Sequence, residues 1–311
     1  MTPAGTSSSW PSDRPEPSVQ PNLTTTEPAP TLETVNVQAL PYTLLLILAE
    51  LAIGSLWITL ASDLRGGVTR GFVMTMALSI AVTAGLTYWT ASTLNIGSNV
   101  DGYRISGDWF SPAKRAIFVV FITSIIYMFS VFMGWDPIGR LAGIAGAIAG
   151  ALAIGLFAAM LAPPTWGYPG ELLALVAGTL AMGAVSVSMV WGHWYLTEGS
   201  LPSWPLRDLA WVLIGALVFQ AVVVAVNLVI PVRLTPTPSN PVDVGIFANP
   251  ALYLRIGVGI AFPIVLAVLS LKTTQIKAMQ SATGLLYICM GAVFAGEVLA
   301  KGLMFLTGRP V

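Results

Sequence analysis

PYTLLLILAELAIGSLWITLAS, residues 41–62, runs for 22 residues with a single charge, Glu50, near its middle. The hydrocarbon layer of a bilayer is about 30 Å thick and a helical residue rises about 1.5 Å, so about 20 apolar residues suffice to cross it. The stretch reads as a membrane-spanning helix. Seven further stretches of the same kind follow, at 71–93, 114–135, 139–162, 170–196, 206–230, 251–271 and 278–307. The expected fold is therefore all-α, a polytopic integral membrane bundle of about eight transmembrane helices occupying residues 41–311, in the cell membrane with lipid as its principal partner.

Composition supports the same reading. The chain is 55% hydrophobic and 9% charged, with a mean hydropathy of +0.79, against roughly 25% charged residues in a soluble domain. Fourteen basic and 14 acidic residues cancel, which leaves no bulk electrostatic attraction for nucleic acid. One cysteine, Cys289, and one histidine, His193, exclude an internal disulfide, a Cys-ligated zinc or iron–sulfur centre, and a bis-histidine haem within the chain. Any electron handling would need a bound organic carrier or a partner subunit. Residues 1–40 are polar and rich in Pro, Ser and Thr, and are expected to be a disordered tail without a secretory signal, so that the first span serves as insertion signal.

Loop lengths give the chain a polarity. Two long connections, 95–112 and 232–250, fall on the face of the tail by the parity of eight spans, and the opposite face carries only short ones. Basic residues divide almost evenly: Arg65, Arg70, Arg140, Arg207, Lys272 and Lys277 on the short-loop face, Arg104, Lys114, Arg115, Arg233 and Arg255 on the tail face. The positive-inside rule is thus nearly tied, and the short-loop face is read as cytoplasmic from the longer, more acidic loops opposite. In RLAGIAGAIAGALAIGLFAAM, residues 140–160, Gly146 and Gly150 form a small-xxx-small pair that suits close helix packing, within the bundle or between copies. Pro263 lies mid-span, where it frees a carbonyl and kinks its helix.

Charges at membrane depth are costly and mark candidate sites. Glu50 has no basic residue on its own helix within two turns. A lone carboxylate in hydrocarbon favours its neutral form unless another helix supplies a partner; Gln220, Asn227 and Lys301 are the candidates. The structural alternative is a neutral acid bridging two helices. Glu297 and Lys301 stand four apart in the order that favours an ion pair. Gln220 and Asn227, seven apart, share a face suited to interhelical hydrogen bonds or to a polar cavity.

The stretch VSMVWGHWYLTEGSLPSWP, residues 187–205, places His193 among Trp191, Trp194 and Tyr195 at a span end. Aromatics there form an interfacial belt, and an imidazole beside them could exchange a proton with a membrane-borne quinone ring. Eight spans without haem ligands and the last helix SATGLLYICMGAVFAGEVLAKGLMF, residues 281–305 with Gly296–Glu297, resemble the membrane anchors of quinone-linked oxidoreductases, the NrfD-like polysulfide reductase and dimethyl sulfoxide reductase anchor families. That resemblance implies a quinone as bound cofactor, with His193, Glu50, Glu297, Tyr195 and Trp191 as the quinone or proton site, no metal in the chain, and an iron–sulfur or other redox subunit as partner. The alternatives are a proton-coupled permease or channel using the same carboxylates, and a scaffold without a site.

Overall fold

The helices begin and end where backbone chemistry dictates. Thr69 caps α2 (Arg70–Thr93) by accepting from the Phe72 amide, and Asn249 caps α7 (Pro250–Ile256) by accepting from Ala251. Gly134 and Gly308, both in the left-handed region, end α3 (Phe110–Met133) and α9 (Met279–Thr307). The remaining helices are α1 (Ala39–Arg65), α4 (Asp136–Leu161), α5 (Tyr168–Glu198), α6 (Trp204–Val229) and α8 (Phe262–Gln275). A computed structural model describes residues 38–100, 103–163, 165–198, 201–231 and 245–311. Nearly all of the Pro/Ser/Thr-rich tail and most of the second long connection lie outside the described residues.

Among the described residues, eight helical segments are long and apolar enough to cross a membrane, with α7, a π-helical turn at Gly257–Ala261 and α8 forming the seventh. The chain is a multi-pass membrane helix bundle. Pro263, expected to kink its helix, lies in the first turn of α8, two residues after that π turn. The first long connection folds into a small hairpin, Asn99–Val100 against Tyr103–Arg104, and a 3-10 turn at Gly107–Trp109 that starts the third span ahead of Lys114. Tyr103 donates to the Leu161 carbonyl, tying the hairpin to the end of α4.

Large apolar side chains such as Leu78, Phe129, Leu141, Ile148, Val222 and Ile288 face outward, the surface that lipid requires. α1 is the enclosed one, packed by α2, α4, α5 and α9. Small residues set its contacts. A side chain at Gly54 would overlap the Thr179 carbonyl and Gly183 of α5, so these helices meet backbone to backbone. Gly143, Gly146 and Gly150 of α4 lie against Leu60, Leu56 and Ile53 in turn, an antiparallel register. The small-residue face of α4 thus packs inside the bundle. Tyr42 near the start of α1 meets Phe305 near the end of α9, with ring centroids 6.1 Å apart, which puts both termini of the bundle on one face, called the tail face below.

Candidate functional site

Five charged residues are buried among the described residues: Glu50, Glu171, Arg255, Glu297 and Lys301. They come from four different helices, α1, α5, α7 and α9, and the fold gathers them in the tail-face half of the bundle. Lys301 Nζ lies 2.6 Å from Glu50 Oε1 and 3.2 Å from Glu297 Oε2. Arg255 Nη2 reaches Glu297 Oε1 at 3.3 Å, and Gln220 donates to the same oxygen. Glu297 therefore holds three donors, whereas Glu50 holds one. Gly178 of α5 makes the room: a Cβ there would lie 2.8 Å from both Glu50 Oε1 and Glu297 Oε2.

Lys301 is the partner that Glu50 lacks on its own helix, and the i,i+4 pair Glu297–Lys301 forms as its spacing suggested. Gln220 joins the cluster, but Asn227 does not. Asn227 instead accepts from the Trp166 indole at 2.6 Å and donates to the Pro310 carbonyl at 2.6 Å, nearer the tail face.

Arg255 corrects an expectation. Read from sequence as a charge on the tail-face loop, it is 2% exposed and faces Glu297. The reason is the close approach of two glycines, Gly259 and Gly296, whose backbones touch and draw the start of the seventh span against α9. Glu171, which the sequence reading does not single out, lies at the first turn of α5 and is 1% exposed. Neither position carries a signal in the sequence beyond a charge within a few residues of an apolar run.

A small cavity of about 10 Å³ lies between Glu171, Gln220, Arg255, Glu297 and Lys301, about the space of one water molecule. Several buried polar atoms have no partner among the described residues: Glu50 Oε2, Glu171 Oε2, Gln220 Oε1, and Nε and Nη1 of Arg255. Pro310 and Val311 also line the cavity. Arg309 anchors that segment by donating from Nη1 to the carbonyls of Asn227, Leu228 and Ile230 at 2.8–3.2 Å. On the same face, burial, with the Glu171 charge adding to it, pushes the Tyr103 phenol well above its ordinary pKa, which keeps it a donor to Leu161.

No family model, curated protein or solved structure matches the chain.

His193 stands apart from this cluster. It lies 15 residues beyond Gly178 on α5, about 22 Å along the helix at about 1.5 Å per residue. It is exposed, and its Nδ1 is 3.1 Å from the Tyr287 hydroxyl of α9, the rings nearly perpendicular. Of the aromatics around it, Tyr195 and Trp194 are half-buried, as an interfacial belt would have them. Trp191 is not part of that belt. It is fully buried, edge-on to Phe72 with centroids 4.8 Å apart, because it falls on the same face of α5 as the buried Ala184, Val187 and Ser188. The five residues grouped from sequence thus separate into an interior pair, Glu50 and Glu297, an outer group, His193 and Tyr195, and one core residue, Trp191.

Proposed function

We propose that this chain is a proton-handling integral membrane protein of the cell membrane, with Glu50, Lys301 and Glu297 as its central proton-binding site. One observation carries the reading. The buried cluster holds three carboxylates and two cations, and an uncompensated charge in so apolar a setting is costly. Among these five side chains, neutrality is reached with one added proton. Glu297, held by Lys301, Arg255 and Gln220, is the carboxylate best kept ionised, so the proton belongs to Glu50 or Glu171, each with an oxygen that has no partner. Such a site suits a proton-coupled permease or channel.

The test is proton flux into proteoliposomes that carry a pH-sensitive dye and an imposed potential. Glu50→Gln preserves shape but cannot trade a proton, and should reduce flux by about a hundredfold, the scale of losing a positioned proton-transfer group. Wild-type flux in that variant would sink the proposal.

A second reading, the anchor of a quinone-linked oxidoreductase passing electrons to an iron–sulfur partner, is favoured by the exposed His193–Tyr287 pair. It offers a protic imidazole and a phenol to a membrane-borne ring at a helix end. Under this reading, His193→Ala keeps expression and thermal stability yet weakens binding of a quinone analogue by about 1–3 kcal/mol, the cost of an unpaired hydrogen-bonding group. Equal binding by both proteins returns His193 to the interfacial belt.

A further inference from the structure

We infer that Glu171 is the access residue through which protons reach the central site from the tail face, by way of a water held in the cavity between Glu171, Gln220 and Arg255. This rests on the proton-handling reading above and adds a direction and a residue to it. Three observations carry it.

The first is depth. Glu171 is three residues from the start of α5, about 5 Å along the axis, whereas Glu50 is 11 residues into α1, about 16 Å. Glu171 therefore stands between the aqueous face and the central carboxylate. The second is the lining of the cavity. It presents partnerless acceptors, Glu171 Oε2 and Gln220 Oε1, beside partnerless donors, Nε and Nη1 of Arg255, all on side chains no more than 2% exposed. Mixed donors and acceptors in a space of about 10 Å³ suit a water molecule, which needs two to four polar partners, better than an ion of either sign. The third is the packing on either side of the cluster: beyond Glu50, Gly54 of α1 meets Thr179 and Gly183 of α5 backbone to backbone, whereas the cavity lies toward the tail face, lined by Glu171, Pro310 and Val311.

The transfer balances without a further reactant. Glu171 takes a proton from the aqueous face. Lys301 gives an Nζ proton to Glu50 Oε1 across 2.6 Å, and is itself reprotonated from Glu171 through the cavity water. The net result is one proton moved from Glu171 to Glu50, with Lys301 again an ammonium. Pro310 and Val311 line the cavity, on a segment that Arg309 ties to the Ile230 carbonyl.

Sided chemical rescue in the same proteoliposomes tests the inference. Glu171→Cys, in a Cys289→Ala background, should lose flux by about tenfold or more. Carboxyethyl methanethiosulfonate, which cannot cross the membrane and places a carboxylate on the thiol, should restore flux when added at the tail face and not at the other. Glu171→Asp should retain flux and Glu171→Gln should not, which separates loss of the carboxyl group from misfolding. Full flux in Glu171→Gln, with flux lost in Glu50→Gln, overturns the access role and leaves the central site standing. Flux lost at Glu171 but unchanged in Glu50→Gln removes the central site instead. Rescue from the short-loop face, or labelling without recovery, overturns the route, and a wild-type protein without flux sinks both proposals.

Discussion

Lys301→Met is expected to destabilise the bundle by about 3–5 kcal/mol, the usual cost of removing one partner from a buried ion pair. Lys301 is the cation shared by Glu50 and Glu297, at 2.6 and 3.2 Å. Without it, three buried carboxylates face Arg255 alone, and Glu50 loses its one hydrogen-bond donor. Methionine fills much of the lysine stem's volume, so the loss reports charge rather than packing. Denaturation in detergent micelles, followed by helical circular dichroism, measures it. Adding Glu50→Gln to Lys301→Met should recover part of the stability, because the double variant no longer buries the unpaired Glu50 charge. A single variant as stable as wild type would mean that water reaches the cluster freely.

The second large effect is steric and lies at the α1–α5 contact. Gly54→Leu should cost about 3 kcal/mol, at the upper end of ordinary overpacking, since its side chain meets the Thr179 carbonyl and the Gly183 backbone, neither of which can rotate away. The helices must part, and with them Gly178, which makes room for Glu50 and Glu297 one to two turns away. The same substitution at Gly215, on the open face of α6 with nothing within 4 Å of a Cβ, should be almost silent. A melting temperature lowered in Gly54→Leu and unchanged in Gly215→Leu is the expected pair of results. Equal melting temperatures would show that α1 and α5 are not in backbone contact.

These two sites differ in how far they could be read in advance. Glu50 and the Glu297–Lys301 spacing stand out because a charge in an apolar run is rare and because four residues bring two side chains to one helix face. Gly54 does not stand out. Glycine is frequent in this chain, and which glycine touches which backbone follows from the crossing of two helices more than 120 residues apart in sequence. Arg255 and Glu171 sit at the ends of apolar runs, where a charge usually reaches for water, and only the surrounding helices show that they do not. His193 invited grouping with the carboxylates because it is the single histidine. Its distance along α5 separates it from them.

What the sequence by itself determined is the membrane bundle. The free energy of placing about 20 consecutive apolar residues in hydrocarbon is local to each segment and needs no knowledge of its neighbours. Eight such segments, their order, and the presence of buried charges on the first and last all follow from reading along the chain. Which helices touch was decided by the tertiary structure, because between helices in lipid the apolar surfaces are nearly interchangeable and close packing of small residues chooses among them. Gly54 on Gly183 and Gly259 on Gly296 make that choice, and it is what brings Glu171 and Arg255 to the pair that the sequence had already marked.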